Sequence, residues 1–146
     1  MSHSYNKLWV HVVFSTKNRE ALIRQDIETK AHQHIREQLI ETGCFVRIIN
    51  GMADHVHLLF LLNQQKSIAE VIKQIKGNTS YWINGQSLIP EKFSWQTGYG
   101  AFSVSESQLE KVFNYIQYQK QHHEKQQFIK EYEELIRLHG LQKKED

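Results

Sequence analysis

Hydrophobic and polar positions along the chain switch repeatedly between strand-like and helix-like patterning. Leu8 to Ser15 (LWVHVVFS) is rich in β-branched and aromatic residues and predicts a strand. From residue 20 to about 42, Ile23, Ile27, Ala31, Ile35 and Leu39 recur four apart, which is one face of a helix that Gly43 then ends. FVRIIN, from Phe45 to Asn50, and HVHLLFLL, from His55 to Leu62, predict two strands joined by the short Gly51–Asp54 connection. Ser67-Ile-Ala-Glu70 is a capping box that opens a second helix with Ile68, Val71, Ile72 and Ile75 on its buried side. Gly77, Asn84 and Gly85 predict that this helix frays within 77–86. Phe93 to Ser103 supplies a fourth strand, whose two glycines mark a bend or a close backbone approach. Ser105-Glu-Ser-Gln108 reads as another capping box, starting a helix with Leu109, Val112, Phe113 and Ile116 inward, and a charged helical segment runs from about Phe128 to Leu138. The order β-α-β-β-α-β-α-α is the ferredoxin-like (RRM-like) βαββαβ plan, an α+β antiparallel sheet with additional C-terminal helices. No repeat, low-complexity tract or linker interrupts it, so residues 1–146 read as one domain.

The third predicted strand adds a constraint. Alternation places His55, His57, Leu59 and Leu61 on one face and Val56, Leu58, Phe60 and Leu62 on the other. Both faces are largely apolar, so the strand is central and covered twice. The first two helices can cover one face. The C-terminal helices or a partner subunit must cover the other.

Composition narrows the class. A chain of 146 residues with 40% hydrophobic and 23% charged residues is an ordinary globular one, long enough to bury a core without metal or disulfide staples. The single cysteine, Cys44, excludes an intrachain disulfide framework and reads as a small buried hydrophobe. The start MSHSYNKLWV lacks an apolar signal region, and no apolar run approaches the ~20 residues of a membrane helix, so a cytoplasmic protein with no membrane partner is expected. The net charge is only +2, with 11 basic and 8 acidic residues in 1–100 against 7 and 8 in 101–146. That balance permits a nucleic-acid partner without predicting one. Nine histidines beside one proline are the more unusual feature.

His55 and His57 lie two apart on a strand, so their side chains project from one face about 7 Å apart at Cα. Two imidazoles placed in this way can converge on a divalent ion, although buried, hydrogen-bonded histidines give the same pattern. Tyr115 and Gln119 stand four apart in the late helix and share a face. A tyrosine hydroxyl is a possible nucleophile, and a glutamine carbonyl one turn on could complete a metal shell. Beside Val112, Phe113 and Ile116, however, a core-edge aromatic is the default reading of Tyr115. Tyr118 points about 100° away from Gln119. Asp54 fits a turn residue first, and a ligand or an orienter of an imidazole second. His11 is either near the site or filling a pleat position.

Taken together, Asp54-His55-Val56-His57-Leu-Leu followed by Tyr115-x-x-x-Gln119 on a helix resembles the single-tyrosine HUH transposases of small bacterial insertion sequences (IS200-like). The resemblance extends over most of the chain, including Trp95-Gln-Thr-Gly-Tyr99-Gly-Ala-Phe-Ser and the Gln119-Lys-Gln-His122-His123 continuation. It implies a single-strand DNA endonuclease and strand transferase. Tyr115 would attack a scissile phosphate to give a 5′-phosphotyrosine link, and His55, His57 and Gln119 would hold Mg²⁺ or Mn²⁺. Two imidazoles would also accept Zn²⁺, which leaves the metal's identity open. It further implies subterminal DNA hairpins as partners and a homodimer in which the tyrosine helix of one subunit completes the site of the other.

For DNA, Lys17 and Arg19 at the first strand-to-helix turn and Lys73 and Lys76 on the second helix could each neutralise a phosphate. Trp95 and Tyr99 could stack on unpaired bases, with core packing at least as good a reading of Trp95. His122 lies three residues past Gln119 and could touch a phosphate or the metal site. Two other classes compete with the transposase. One is a binder of structured single-stranded nucleic acid that does not cut. The other is a small metal-dependent hydrolase, which would need a general base near His55 and His57 and would be indifferent to Tyr115.

Overall fold

The structure, a computed structural model, describes residues 5–121 and 128–140. Its elements follow the expected order: β1 (Trp9–Ser15), α1 (Gln25–Glu41), β2 (Phe45–Met52), β3 (His55–Leu61), α2 (Ile68–Gly85), β4 (Gly100–Val104), α3 (Leu109–Gln117) and α4 (Phe128–Leu138). The strands form one antiparallel sheet in the order β2-β3-β1-β4, the split arrangement in which β3 inserts between β1 and β2. Among the described residues no helix is long and apolar enough to cross a membrane.

The two-faced β3 is central, as its sequence requires. Val56, Leu58 and Phe60 pack with Val10, Val12 and Phe14 of β1 against Ile35 and Leu39 of α1 and Val71, Ile72 and Ile75 of α2. On the other face Leu59 and Trp9 pack against Val112, Tyr115 and Ile116 of α3 and Leu135 of α4. The C-terminal helices of the same chain therefore cover the second face. His11 pairs with Leu59 and Val13 with His57, so His11 and His57 are diagonal neighbours on that covered face.

Several boundaries differ from the sequence reading, each for a tertiary reason. Helix α1 starts at Gln25 rather than near residue 20 because the preceding backbone docks elsewhere. The Ile23 N–H donates to the Ala53 carbonyl, Thr16 N–H donates to Asp54 O, and Asn18 and Arg19 take positive φ. Helix α2, by contrast, ends at Gly85, inside the expected 77–86 window, and passes Gly77 unbroken, with Thr79 and Ile83 buried beyond it. Its capping box forms as written, with Ser67 Oγ accepting from Glu70 N–H and Glu70 Oε1 accepting from Ser67 N–H. Ser105 does not cap: its hydroxyl faces Ser107 Oγ at 3.1 Å, and a short 3-10 turn precedes α3.

Strand β4 is shorter than Phe93–Ser103: Ser94 and Gln96 keep backbone bonds to Lys17 and Ser15 around an isolated Thr16–Trp95 bridge, and side chains take up other hydrogen bonds of this stretch. The Asn84 amide both donates to Phe93 O and accepts from Phe93 N–H, and Lys76 Nζ donates to the carbonyls of Gln96 and Gly98. Gly43 does terminate α1, at φ +80°, a conformation that disfavours any side chain.

Candidate functional site

Three separated segments meet on the helix-covered face of the sheet. β3 supplies His55 and His57, α3 supplies Tyr115, and α4 supplies Glu131; all four are buried. Tyr115 Oη donates to Glu131 Oε1 at 2.6 Å, and His57 Nε2 lies 3.1 Å from the same oxygen. His55 Nε2 is 3.8 Å from Glu131 Oε2 and 3.4 Å from Gln119 Oε1. One carboxylate thus collects the tyrosine hydroxyl and both imidazoles.

Gln119 arrives differently from the sequence reading. Helix α3 ends at Gln117, so Tyr115 and Gln119 do not share one continuous helix face. The chain turns at Tyr118, whose side chain is exposed, and re-enters helical backbone at 119–121. Asn50 of β2 fixes this turn by donating from Nδ2 to the carbonyls of Ile116 and Gln117, the orphan acceptors at a helix end. Lys120 ties down the far side by donating to Glu28 Oε1 and to the Gly51 carbonyl. Gln119 is still brought to the site, fully buried, with its Nε2 donating to the Tyr115 carbonyl at 3.4 Å.

Behind each imidazole stands a supporting group. His55 Nδ1 donates to Asp54 Oδ1 at 2.7 Å, and Arg19 donates to the other oxygen of Asp54 through Nε and Nη2. His57 Nδ1 faces His11 Nε2 at 2.9 Å, and His11 Nδ1 faces His139 Nε2 at 2.7 Å. His139, just past α4, stacks on Phe102 with ring centroids 4.2 Å apart.

The electrostatics follow from this packing. Burial alone would raise the Glu131 pKa, but the hydrogen bond and charge of His57 and the hydrogen bond from Tyr115 hold it well below the usual carboxylate range. Burial, and then the neighbouring Glu131 charge, push the Tyr115 phenol well above its ordinary value. Desolvation lowers His11, and it brings His139 down to about 4, so both are neutral near pH 7. Asp54 is held low: its burial is outweighed by the hydrogen bond and charge of His55 and by Arg19.

A divalent ion fits this donor set. One ligand atom each from His55, His57 and Glu131 lies within 4.8 Å of the others. His55 Nδ1 is committed to Asp54, which leaves its Nε2 as the ring nitrogen that faces the oxygens of Glu131 and Gln119. A cation between them satisfies all three acceptors. Two imidazoles with carboxylate and amide oxygens are a mixed nitrogen and oxygen donor set of the kind divalent cations take.

The positions picked out for DNA contact scatter around this centre. Arg19 and Tyr99 line a cleft of about 420 Å³ that reaches His55 and Glu131 between β1, the 97–100 segment and α4. Lys17 and Lys73 are exposed on the surface. Lys76 is engaged in holding the carbonyls of Gln96 and Gly98, and Trp95 packs edge-on against Phe14 and Phe93 at 4.7 Å each. His122 lies outside the described residues.

Glu131 and His139 were missed by the sequence reading. The signal for Glu131 is present in FIKEYEELIRL, where a glutamate occupies the buried position four before Leu135 and seven before Leu138. A charge on the apolar stripe of a helix needs a buried partner.

A family model described as "Transposase IS200 like" matches residues 4–119. The ISDra2 transposase TnpA of Deinococcus radiodurans is 25% identical over 118 residues, covering 77% of this chain and 84% of that protein. A solved transposase structure from Deinococcus radiodurans R1 superposes with a TM-score of 0.65 at 23% identity, covering 82% of this chain and 96% of the other. The structure of a REP-associated tyrosine transposase bound to a REP hairpin superposes with a TM-score of 0.64 at 12% identity, over 84% of this chain and 73% of that one. Glu131 and His139 lie beyond the segment that the family model matches.

Proposed function

The chain belongs to the IS200-like transposase family, and from that membership and the buried cluster we propose that it cleaves and rejoins single-stranded DNA at insertion-sequence ends through Tyr115. The observation that supports this reading most is the meeting of Tyr115 Oη and both imidazole Nε2 atoms on one carboxylate, from segments far apart in the chain. A tyrosine that served packing alone would not need its hydroxyl on a buried carboxylate that two histidines share.

In the proposed reaction Tyr115 Oη attacks the scissile phosphorus, the bond from phosphorus to the 3′-oxygen breaks, and that oxygen leaves as a 3′-OH carrying a proton. The 5′-phosphate stays on Tyr115, and a different 3′-OH reverses the step, so the bond energy is retained in the phosphotyrosine. His55, His57 and Glu131, with Gln119 beside them, would hold a divalent cation, which would supply polarisation of the phosphate and offset charge in the transition state. Arg19 keeps Asp54 on His55 Nδ1 and so keeps the His55 lone pair facing the site. The cleft bounded by Arg19, Tyr99 and Phe102 reaches His55 and Glu131 and is the opening through which a nucleotide chain would approach these two residues. Hairpin DNA as partner and a homodimer belong to the same reading, with the difference that one chain here assembles Tyr115 with its own His55 and His57.

The test is covalent trapping. Purified protein, with Mn²⁺ or with EDTA, meets labelled single-stranded oligonucleotides from the DNA flanking its gene, and products run on a denaturing gel. A shifted band that needs Mn²⁺ is expected. Tight hairpin binding with no band would favour a binder that does not cut, and free cut product with no band would favour a hydrolase.

A further inference from the structure

His57 touches the site with one ring nitrogen and a second histidine with the other. Its Nε2 faces Glu131, and its Nδ1 faces His11 Nε2 at 2.9 Å on the neighbouring strand. His11 is fully buried, and its remaining nitrogen meets His139 Nε2 at 2.7 Å. Neutral imidazoles have one N–H each, so the three rings must share one register of donors and acceptors.

With no metal and Glu131 ionised, His57 donates from Nε2 to Glu131. In the register where His57 is neutral, its Nδ1 then accepts from His11 Nε2–H, and His11 Nδ1 accepts from His139 Nε2–H. To ligate a cation His57 must present a lone pair at Nε2, which places its proton on Nδ1. That proton needs an acceptor in the same buried place, and His11 Nε2 is the atom there.

We infer that His11 is a positioning residue for the metal site, accepting from His57 Nδ1–H and so keeping the His57 Nε2 lone pair directed at the cation. The exchange balances without net loss. His57 gives up its Nε2 proton to solvent as the cation takes that place and receives one from His11 Nε2, His11 receives one at Nδ1 from His139 Nε2, and His139 takes one at Nδ1 from solvent. An imidazole suits position 11 because the same atom donates in one register and accepts in the other. His139 closes the chain from just past α4, the helix that supplies Glu131, and its stacking on Phe102 fixes the ring.

This rests on the metal reading above, and the experiment separates the two. Mn²⁺ affinity of the full chain, without DNA, is measured by electron paramagnetic resonance for wild type, His11→Phe and His11→Gln. The glutamine amide reaches the place of His11 Nε2 and can accept; phenylalanine keeps the volume and cannot. His11→Phe is expected to weaken Mn²⁺ binding by about tenfold or more, in the range seen when groups behind a ligand are removed, with His11→Gln restoring most of it. In parallel, long-range ¹H–¹⁵N spectra of histidine-labelled wild type loaded with diamagnetic Zn²⁺ should show the His57 proton on Nδ1. Equal affinity in wild type and His11→Phe, equal loss in both variants, or the His57 proton on Nε2 in the loaded protein would overturn the assignment. If His11→Phe does not fold, the wild-type spectrum decides alone. Wild type that binds no Mn²⁺ would overturn the metal reading, and this inference with it.

Discussion

Replacing Tyr115 by phenylalanine is expected to abolish covalent product, a loss of at least about a thousandfold, while hairpin affinity stays within about threefold. The fold should tolerate the change. Tyr115 packs its ring among Leu59, Val112, Ile116 and Leu135, and phenylalanine keeps that contact. What is lost is the hydroxyl and its 2.6 Å bond to Glu131. The carboxylate keeps its hydrogen bond to His57, so the stability cost should be only about 1 kcal/mol. The measurement is the trapping gel beside a binding isotherm on the same oligonucleotide. Retained covalent product would remove Tyr115 from the reaction, and lost binding with lost product would make it a structural residue.

Glu131 is the second site of large expected effect, because it faces Tyr115 and the imidazoles together. Glu131→Gln removes the charge and keeps the volume. Mn²⁺ affinity should fall by at least about tenfold, since an anionic oxygen ligand is exchanged for an amide. The Tyr115 phenol should at the same time move down toward its ordinary value, because part of its upward displacement comes from the Glu131 charge. Burial, the larger cause, stays, so the return should be partial. Isothermal titration with Mn²⁺ and NMR of ring-labelled tyrosine across a pH series read the two effects separately. Unchanged Mn²⁺ affinity with a displaced phenol would leave Glu131 as a hydrogen-bond partner only. Glu131→Ala should add a stability loss of about 1–3 kcal/mol, because Tyr115 Oη and His57 Nε2 lose a buried acceptor.

Much of this arrangement was legible in the residues. The double-sided apolar character of β3 gave its central place and the need for cover on both faces, because strand alternation is a strict consequence of backbone geometry. The Ser67–Glu70 capping box was legible because both partners lie within one turn of chain. What was hidden depended on contacts between distant segments. The break after Gln117 is set by Asn50 on another strand, and Asn84 and Lys76 reach across from α2 to the stretch before β4. Neither has a local signature.

The site divides in the same way. His55, His57, Tyr115 and Gln119 could be picked out from spacing and family resemblance, and the structure brings all four together. Glu131 was passed over because α4 reads as a charged surface helix until its stripe is aligned with Leu135 and Leu138. His11 has no local signal that places it at the site, because only the β1–β3 register shows it diagonal to His57. Trp95 and Lys76 could have been DNA contacts by type, yet one is packed between two phenylalanines and the other holds a turn.

The most direct measurement is the identity of the linked residue. The Mn²⁺-dependent adduct is trimmed with nuclease, digested with trypsin and sequenced by mass spectrometry, where the peptide Val112–Lys120 contains both Tyr115 and Tyr118. A nucleotide joined through its 5′-phosphate to Tyr115, with Tyr118 unmodified, is the predicted result. An adduct on Tyr118 or on any other residue, or cleaved DNA with this peptide unmodified, would contradict it.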